Sequence, residues 1–101
     1  MTTTQTNDIE VIIRPVDIAG LPTRGAWNGY ISLKPNHPWF GKDTMDLYKV
    51  EVHGGITYAE QEGDRWVIGF DTAHGGDTPS KWPISAVAAQ CAHMMGQAYR
   101  A

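Results

Sequence analysis

The chain has 101 residues, 42% of them hydrophobic, a net charge of −3 and a single cysteine. That length suits one domain with one modest core, and the composition argues against wholesale disorder. The scattered Lys and Arg residues exclude a nucleic-acid polymer as the main partner, the lone Cys91 excludes an intrachain disulfide, and no apolar run reaches the roughly 18 residues of a membrane span.

Met1 to Asp8 is polar, lacks a signal-peptide core and reads as a disordered tail; residues 9–101 read as a single α+β domain. Ile9 to Pro15 is β-branched and ends at a proline, which predicts a strand. The breakers at Gly20, Pro22 and Gly25 predict a loop, and Trp27 to Leu33 a second strand. Lys34 to Asp46 is a long loop with two prolines, carrying Trp39 and Phe40.

Leu47 to His53 alternates most clearly and predicts a half-buried strand, with Tyr48, Val50 and Val52 on one face. Ile56 to Ala59 is a short strand or turn, and Glu60 to Asp64 a charged, solvated turn holding Glu60 and Glu62. Arg65 to Asp71 is nearly all apolar from Trp66 to Phe70, as in a central strand covered on both faces. From Pro83 to Tyr99 apolar residues recur every three or four positions. Ile84, Val87, Ala88, Cys91, Met95 and Ala98 form the predicted helix stripe, with His93 facing solvent. The expected fold is therefore α+β: a small, mostly antiparallel sheet of four to five strands with one C-terminal helix packed on it.

The unusual chemistry lies between His53 and Asp77. His53-Gly54-Gly55-Ile56-Thr57 and His74-Gly75-Gly76-Asp77-Thr78 share the pattern His-Gly-Gly-x-Thr. Paired glycines admit positive φ and close backbone approach, and consecutive amides in such turns can nest an anion. Two ordinary turns that begin with His would read the same way. Asp71-x-x-His74-x-x-Asp77, taken with His53, supplies two imidazoles and two carboxylates. This set suits a divalent metal or acid–base work, although its spacing matches no standard metal motif. Asp71 and Asp77 could equally be turn acceptors. Among the aromatics, Trp66 and Phe70 read as core, whereas Trp39, in a polar loop, reads as a ring available to a flat ligand. Cys91 reads as core.

Four segments together carry a resemblance: Trp27-Asn28-Gly29-Tyr30, then His37-Pro38 with Gly41-Lys42-Asp43, then Val52 to Tyr58 (VHGGITY), then Trp66 to Asp77 (WVIGFDTAHGGD). In that order they resemble the signature of a family of small bacteriophage and prophage proteins. The resemblance runs from Trp27 to the helix. It implies a phage origin and the cytoplasm of an infected bacterium, and carries over no activity, catalytic residue or cofactor. Small phage proteins of unrelated sequence block host immunity, some by sequestering nucleotide messengers, which is an analogy of class.

The leading expectation is thus a counter-defence binding protein without turnover. His53, Gly54, Gly55, Thr57, Asp71, His74, Gly75, Gly76 and Asp77 would hold a small anionic ligand such as a host signalling nucleotide. Trp39 would cover its base, and Lys42 and Arg65 would supply charge. No cofactor is required in that reading. The alternatives are a metal-dependent hydrolase using His53, Asp71, His74 and Asp77, and an interaction module that inhibits a host protein. Strands Leu47–His53 and Arg65–Asp71 are expected to be antiparallel neighbours. His53 and Asp71 would then lie at opposite sheet edges, roughly 15–25 Å apart. A shared pocket would need the Thr72–Pro79 loop to fold back, or a second subunit. The second subunit, and hence a homo-oligomer, is the expectation.

Overall fold

The structure, a computed structural model, describes residues 9–16 and 25–101. The expected tail and most of the Gly20–Gly25 loop lie outside the described residues. Strands β1 (Glu10–Pro15), β2 (Trp27–Leu33), β3 (Tyr58–Glu62) and β4 (Arg65–Phe70) form one antiparallel sheet in the order β1-β2-β4-β3, followed by helix α1 (Ile84–Tyr99). This is the expected α+β architecture, with four strands among the described residues. No helix among those residues is long and apolar enough to cross a membrane.

The pairing register decides which side chains meet the helix. Gly29 lies opposite Phe70, Ile31 opposite Ile68 and Leu33 opposite Trp66. Successive residues of a strand point to opposite faces, so these six share one. Helix α1 packs there through Val87, Cys91, Met94 and Ala98. The approach is closest at Gly29. A Cβ built there would sit 2.5 Å from Cys91 Sγ and 2.7 Å from the Phe70 ring. Cys91 is fully buried, and burial pushes its thiol pKa up to about 11, which leaves it an unreactive core residue.

The stripe is rotated from the predicted one. Ile84 is 50% exposed and Ala88 is exposed, whereas Met94 is fully buried. The cause is the segment docked along one flank of the helix. Gln90 and Gln97 are seven residues apart, two turns on one side of α1. Gln97 takes the Glu51 N–H at 2.8 Å and donates to the Glu51 carbonyl at 2.7 Å, and Gln90 takes the His53 N–H at 3.0 Å. That flank covers Val87 and Met94 and leaves Ala88 open.

The same contacts explain why Leu47–His53 is not a strand, a correction to the expectation. A turn from Asp43 leads into it, with Leu47 N–H donating to the Asp43 carbonyl at 3.2 Å and Val50 N–H to the Leu47 carbonyl at 3.1 Å. Leu47 and Val50 are buried, while Tyr48 points outward, 75% exposed. Backbone groups that a neighbouring strand would have paired are met by helix side chains. The loop before it is tied to the helix end. His37 Nδ1 accepts the Trp39 N–H at 2.9 Å, so Nε2 carries the proton that it donates to the Ala98 carbonyl at 2.8 Å.

Glu60–Asp64 is also corrected. It holds the end of β3, and the connection to β4 is reduced to Gly63-Asp64. Glu62 is not a solvated turn residue. On the sheet face away from the helix it receives both Arg14 Nη atoms, at 3.0 and 2.6 Å, and the Tyr58 hydroxyl at 2.6 Å. The Arg14 guanidinium lies 4.7 Å above the Tyr30 ring, which meets Tyr58 edge-on at 5.2 Å. This chain of contacts links edge strands β1 and β3 across β2 and β4.

Two predictions follow from the packing. Gly29→Ala forces a methyl group against Cys91 and Phe70 and should destabilise the fold by about 1–3 kcal/mol. Urea unfolding measures this, and Cys91→Ala in the same chain should recover part of the loss. An undiminished midpoint in Gly29→Ala would mean that the helix does not approach β2 there. The second concerns acid. The Arg14 hydrogen bonds, followed by that of Tyr58, hold the Glu62 carboxyl below its ordinary 4.5. A carboxyl lowered in the folded state stabilises it above the unfolded pKa, and that stability is lost as pH falls through the folded value. The melting temperature of the native chain should therefore drop more between pH 6 and pH 3 (roughly the span over which an Asp or Glu carboxylate titrates) than that of Glu62→Gln. Parallel curves would mean the bridge contributes nothing.

Candidate functional site

The site is built on the exit from β4. Thr72 is fully buried; its N–H donates to Asn28 Oδ1 at 3.0 Å and its hydroxyl to the Trp27 carbonyl at 2.7 Å. These bonds pin the chain to the start of β2 and set the direction in which the next loop leaves. Asp71 closes a local turn, its Oδ1 accepting the Ala73 N–H at 3.0 Å, and its Oδ2 takes the Thr57 hydroxyl at 2.8 Å.

The two His-Gly-Gly segments are both turns, but they are not equivalent. In the second, Asp77 N–H returns to the His74 carbonyl at 3.0 Å, so His74 opens the turn and Gly76, with φ +92°, supplies the positive φ. In the first, Gly55 N–H returns to the Val52 carbonyl at 2.9 Å, so His53 is the second residue and Gly54, with φ +70°, sits at the third. Glycine is the residue that takes this conformation without strain. Gly54 is also a close approach. A Cβ there would lie 2.4 Å from His74 Cε1, so bare backbone of one turn rests on the ring of the other.

The turns therefore meet within one chain, which overturns the opposite-edge geometry expected from a Leu47–His53 strand. Because that segment runs along the helix, His53 ends beside the Asp71–Asp77 loop, and the pair needs no second subunit. His53 Nε2 is 2.9 Å from Asp77 Oδ1, and the two imidazoles meet edge-on at 5.5 Å. Trp82 lies 4.0 Å from the His53 ring and Phe70 contacts it edge-on at 6.5 Å, giving the site an apolar wall.

Asp77 is the hub. It is 7% exposed, its Oδ2 accepts the His74 N–H at 2.9 Å and its Oδ1 faces His53. Burial alone would raise its pKa. The His53 hydrogen bond, the His74 amide and the nearby imidazole charges outweigh burial and lower it, so the carboxyl is an anion at neutral pH. His74 Nδ1 lies 3.3 Å from Asp71 Oδ1 and 3.4 Å from Asp77 Oδ2. Those distances are in ion-pair range, yet neither approach has hydrogen-bond geometry, and the buried nitrogen has no hydrogen-bond partner among the described residues.

Ligand atoms of His53, His74 and Asp77 all lie within 4.8 Å of one another. Tetrahedral donors around zinc, at bond lengths of about 2.0–2.1 Å, stand roughly 3.3 Å apart, so small side-chain shifts would close the set on an ion. Solvent reaches it through His74 and Asp71, whose side chains are 39% and 31% exposed.

The other predicted residues lie elsewhere. Arg65 opens β4 and donates to the Ser32 carbonyl and hydroxyl at 3.1 and 3.0 Å. The Lys42 carbonyl takes the Trp66 indole N–H at 2.9 Å, so Lys42 also sits at that end of the strand. Six residues of strand, about 20 Å, separate Arg65 from Asp71. Trp39 lines a cleft with Lys42 to which none of His53, Asp71, His74 and Asp77 contributes. Gln90 went unnoticed in the sequence, and so did Trp82 as a partner of His53. The available signal was the seven-residue spacing of Gln90 and Gln97 beside the apolar stripe. Comparison with protein-family models, with curated proteins and with solved structures finds no match to this chain.

Asp77→Asn tests the hub. The amide oxygen can keep the His74 N–H, but its NH2 group faces the His53 ring only if Nε2 gives up its proton, so the charge-assisted bond to a carboxylate is lost. Unfolding should show a loss of about 1–3 kcal/mol, and the His53 ring resonances should move. An unchanged midpoint with unchanged His53 resonances would mean that Asp77 does not hold the turns together.

Proposed function

We propose that the protein binds a divalent transition-metal ion through His53, His74 and Asp77, with Asp71 beside them, and that it is a metal-dependent hydrolase. The observation that carries this reading is the convergence of two imidazoles and a buried, anionic carboxylate within one chain. The orphaned His74 Nδ1 adds to it. Two imidazoles and a carboxylate are donors of the zinc and iron(II) type. Such an ion lowers the pKa of a water that it holds and supplies hydrolytic chemistry.

The protein's own groups have distinct roles in this reading. Asp77 keeps the His74 turn in place through the backbone N–H, and its bond from the His53 ring would be given up if that ring nitrogen took the ion. Trp82 and Phe70 keep one side of the site apolar. Asp71, partly exposed and anchored by Thr57, is placed to take a proton. The charge balance also favours a metal over direct anion binding at the same turns. Asp77 is an anion there, Asp71 is a second carboxyl group, and Lys42 and Arg65 are at the far end of β4. Lys81, whose Nζ lies 3.5 Å from the Gly76 carbonyl, offsets only one of these two carboxyl groups. The phage origin and the cytoplasmic setting belong to the same proposal and rest on the resemblance of the sequence signature, and the counter-defence role rests on the analogy of class with other small phage proteins.

Metal titration of the apo protein is the test. One equivalent of Zn2+ should bind, and Co2+ should develop visible absorption from a low-coordinate nitrogen–oxygen site. His53→Ala and His74→Ala should each weaken Zn2+ binding by at least tenfold while far-UV circular dichroism stays native. Asp71→Asn should weaken it less. Folded variants that bind Zn2+ like the native chain would overturn the assignment, as would the absence of stoichiometric uptake.

A further inference from the structure

A second feature, independent of the metal reading, lies toward the other end of helix α1. Trp39, Lys42, Asp46, Leu47, Lys49, Val50 and Gln97 line a cleft of about 420 Å³. That is inside the roughly 300–1,000 Å³ range of small-molecule sites. We propose that this cleft binds a flat aromatic ligand carrying an anionic group, the chemistry of a nucleoside monophosphate.

Each wall has a separate cause. The floor is Leu47 and Val50, both buried by the turn that replaces the expected strand. The side is Trp39, half-buried and fixed twice by His37, through the Trp39 N–H on Nδ1 and through an edge-on ring contact at 5.4 Å. Since His37 is itself bonded to the Ala98 carbonyl, the indole is referenced to the end of the helix. A ring held in this way offers a stacking surface with little ordering cost on binding. The Lys42 N–H returns to the Trp39 carbonyl at 3.0 Å, which brings Lys42 back over the cleft. Lys42 and Lys49 are both exposed.

The other polar groups lining the cleft are tied to the backbone, Asp46 keeping its negative charge. Asp46 Oδ2 accepts the Asp43 N–H at 3.2 Å, and the Gln97 amide is occupied by Glu51 and His93. Lys42 and Lys49, the latter also 5.7 Å over the Tyr48 ring, outnumber Asp46 among the lining residues and leave the mouth of the cleft net positive. Apolar floor, aromatic side and cationic rim together select a ligand with a ring at one end and negative charge at the other. This places the nucleotide-like chemistry at Trp39 and Lys42, and separates it from the His-Gly-Gly turns.

Amide and indole chemical-shift mapping of the full chain tests this, with adenosine 5′-monophosphate, adenosine and inorganic phosphate as probes. Adenosine monophosphate should shift the Trp39 indole N–H and the amides of Leu47 to Val50, and should bind more tightly than either fragment. Lys42→Gln/Lys49→Gln, which changes only exposed side chains, should weaken it at least tenfold. Trp39→Phe should weaken it while keeping the fold. His74→Ala, which removes a metal ligand, should leave it unchanged, so failure of the metal assignment and failure of this one are separately visible. Shifts confined to His53–Asp77, phosphate binding as tightly as the nucleotide, no shift at all, or full affinity in the double-lysine variant would each overturn the proposal.

Discussion

A carboxylate buried as deeply as Asp77 survives as an anion only where donors surround it. Its two oxygens face donors on separate pieces of chain, the His53 ring and the His74 amide. That requirement locks the Val52–Gly55 turn to the loop that follows β4. Thr72, pinned to Trp27 and Asn28, sets where the loop begins, and Gln90 sets where His53 sits. Move any of these anchors and the carboxylate is left with unmet charge. The candidate site is thus a consequence of one electrostatic constraint, satisfied from the sheet, the helix and an irregular segment together.

The irregular segment is the least conventional part of the fold. Residues 34–57 run between two strands of the sheet without contributing one. Their backbone is closed by internal turns, by the Gln90 and Gln97 amides and by His37 at the helix end. The arrangement serves two places at once. One end presents His53 to Asp77; the other forms the floor and side of the Trp39 cleft. A regular strand would have alternated its side chains across a sheet and could not have turned Leu47 and Val50 inward three residues apart.

The helix position links these regions. Contact at Gly29 brings Cys91 onto the sheet, and the docked segment turns the buried side toward Val87 and Met94. On the opposite sheet face, Arg14, Glu62, Tyr58 and Tyr30 join the two edge strands, so the sheet is braced from both sides.

The sequence by itself determined the elements whose period and composition have a single outcome. The β-branched run Ile9–Pro15, the apolar Trp66–Phe70 and the helical recurrence from Ile84 to Ala98 each formed where local pattern placed them, because burial rewards those periods whatever the neighbours are. It also singled out His53, Asp71, His74 and Asp77 by residue type and by their glycine-rich setting. Only tertiary structure decided how these came together. The alternation in Leu47–His53 is a strand signal, but a strand needs a partner, and two helix glutamines took that place; period-2 patterning carries no record of what supplies the hydrogen bonds. The separation of Lys42, Arg65 and Trp39 from His53 and His74 was likewise invisible in one dimension. Arg65 is close to Asp71 along the chain and, because a strand is extended, about 20 Å from it in space.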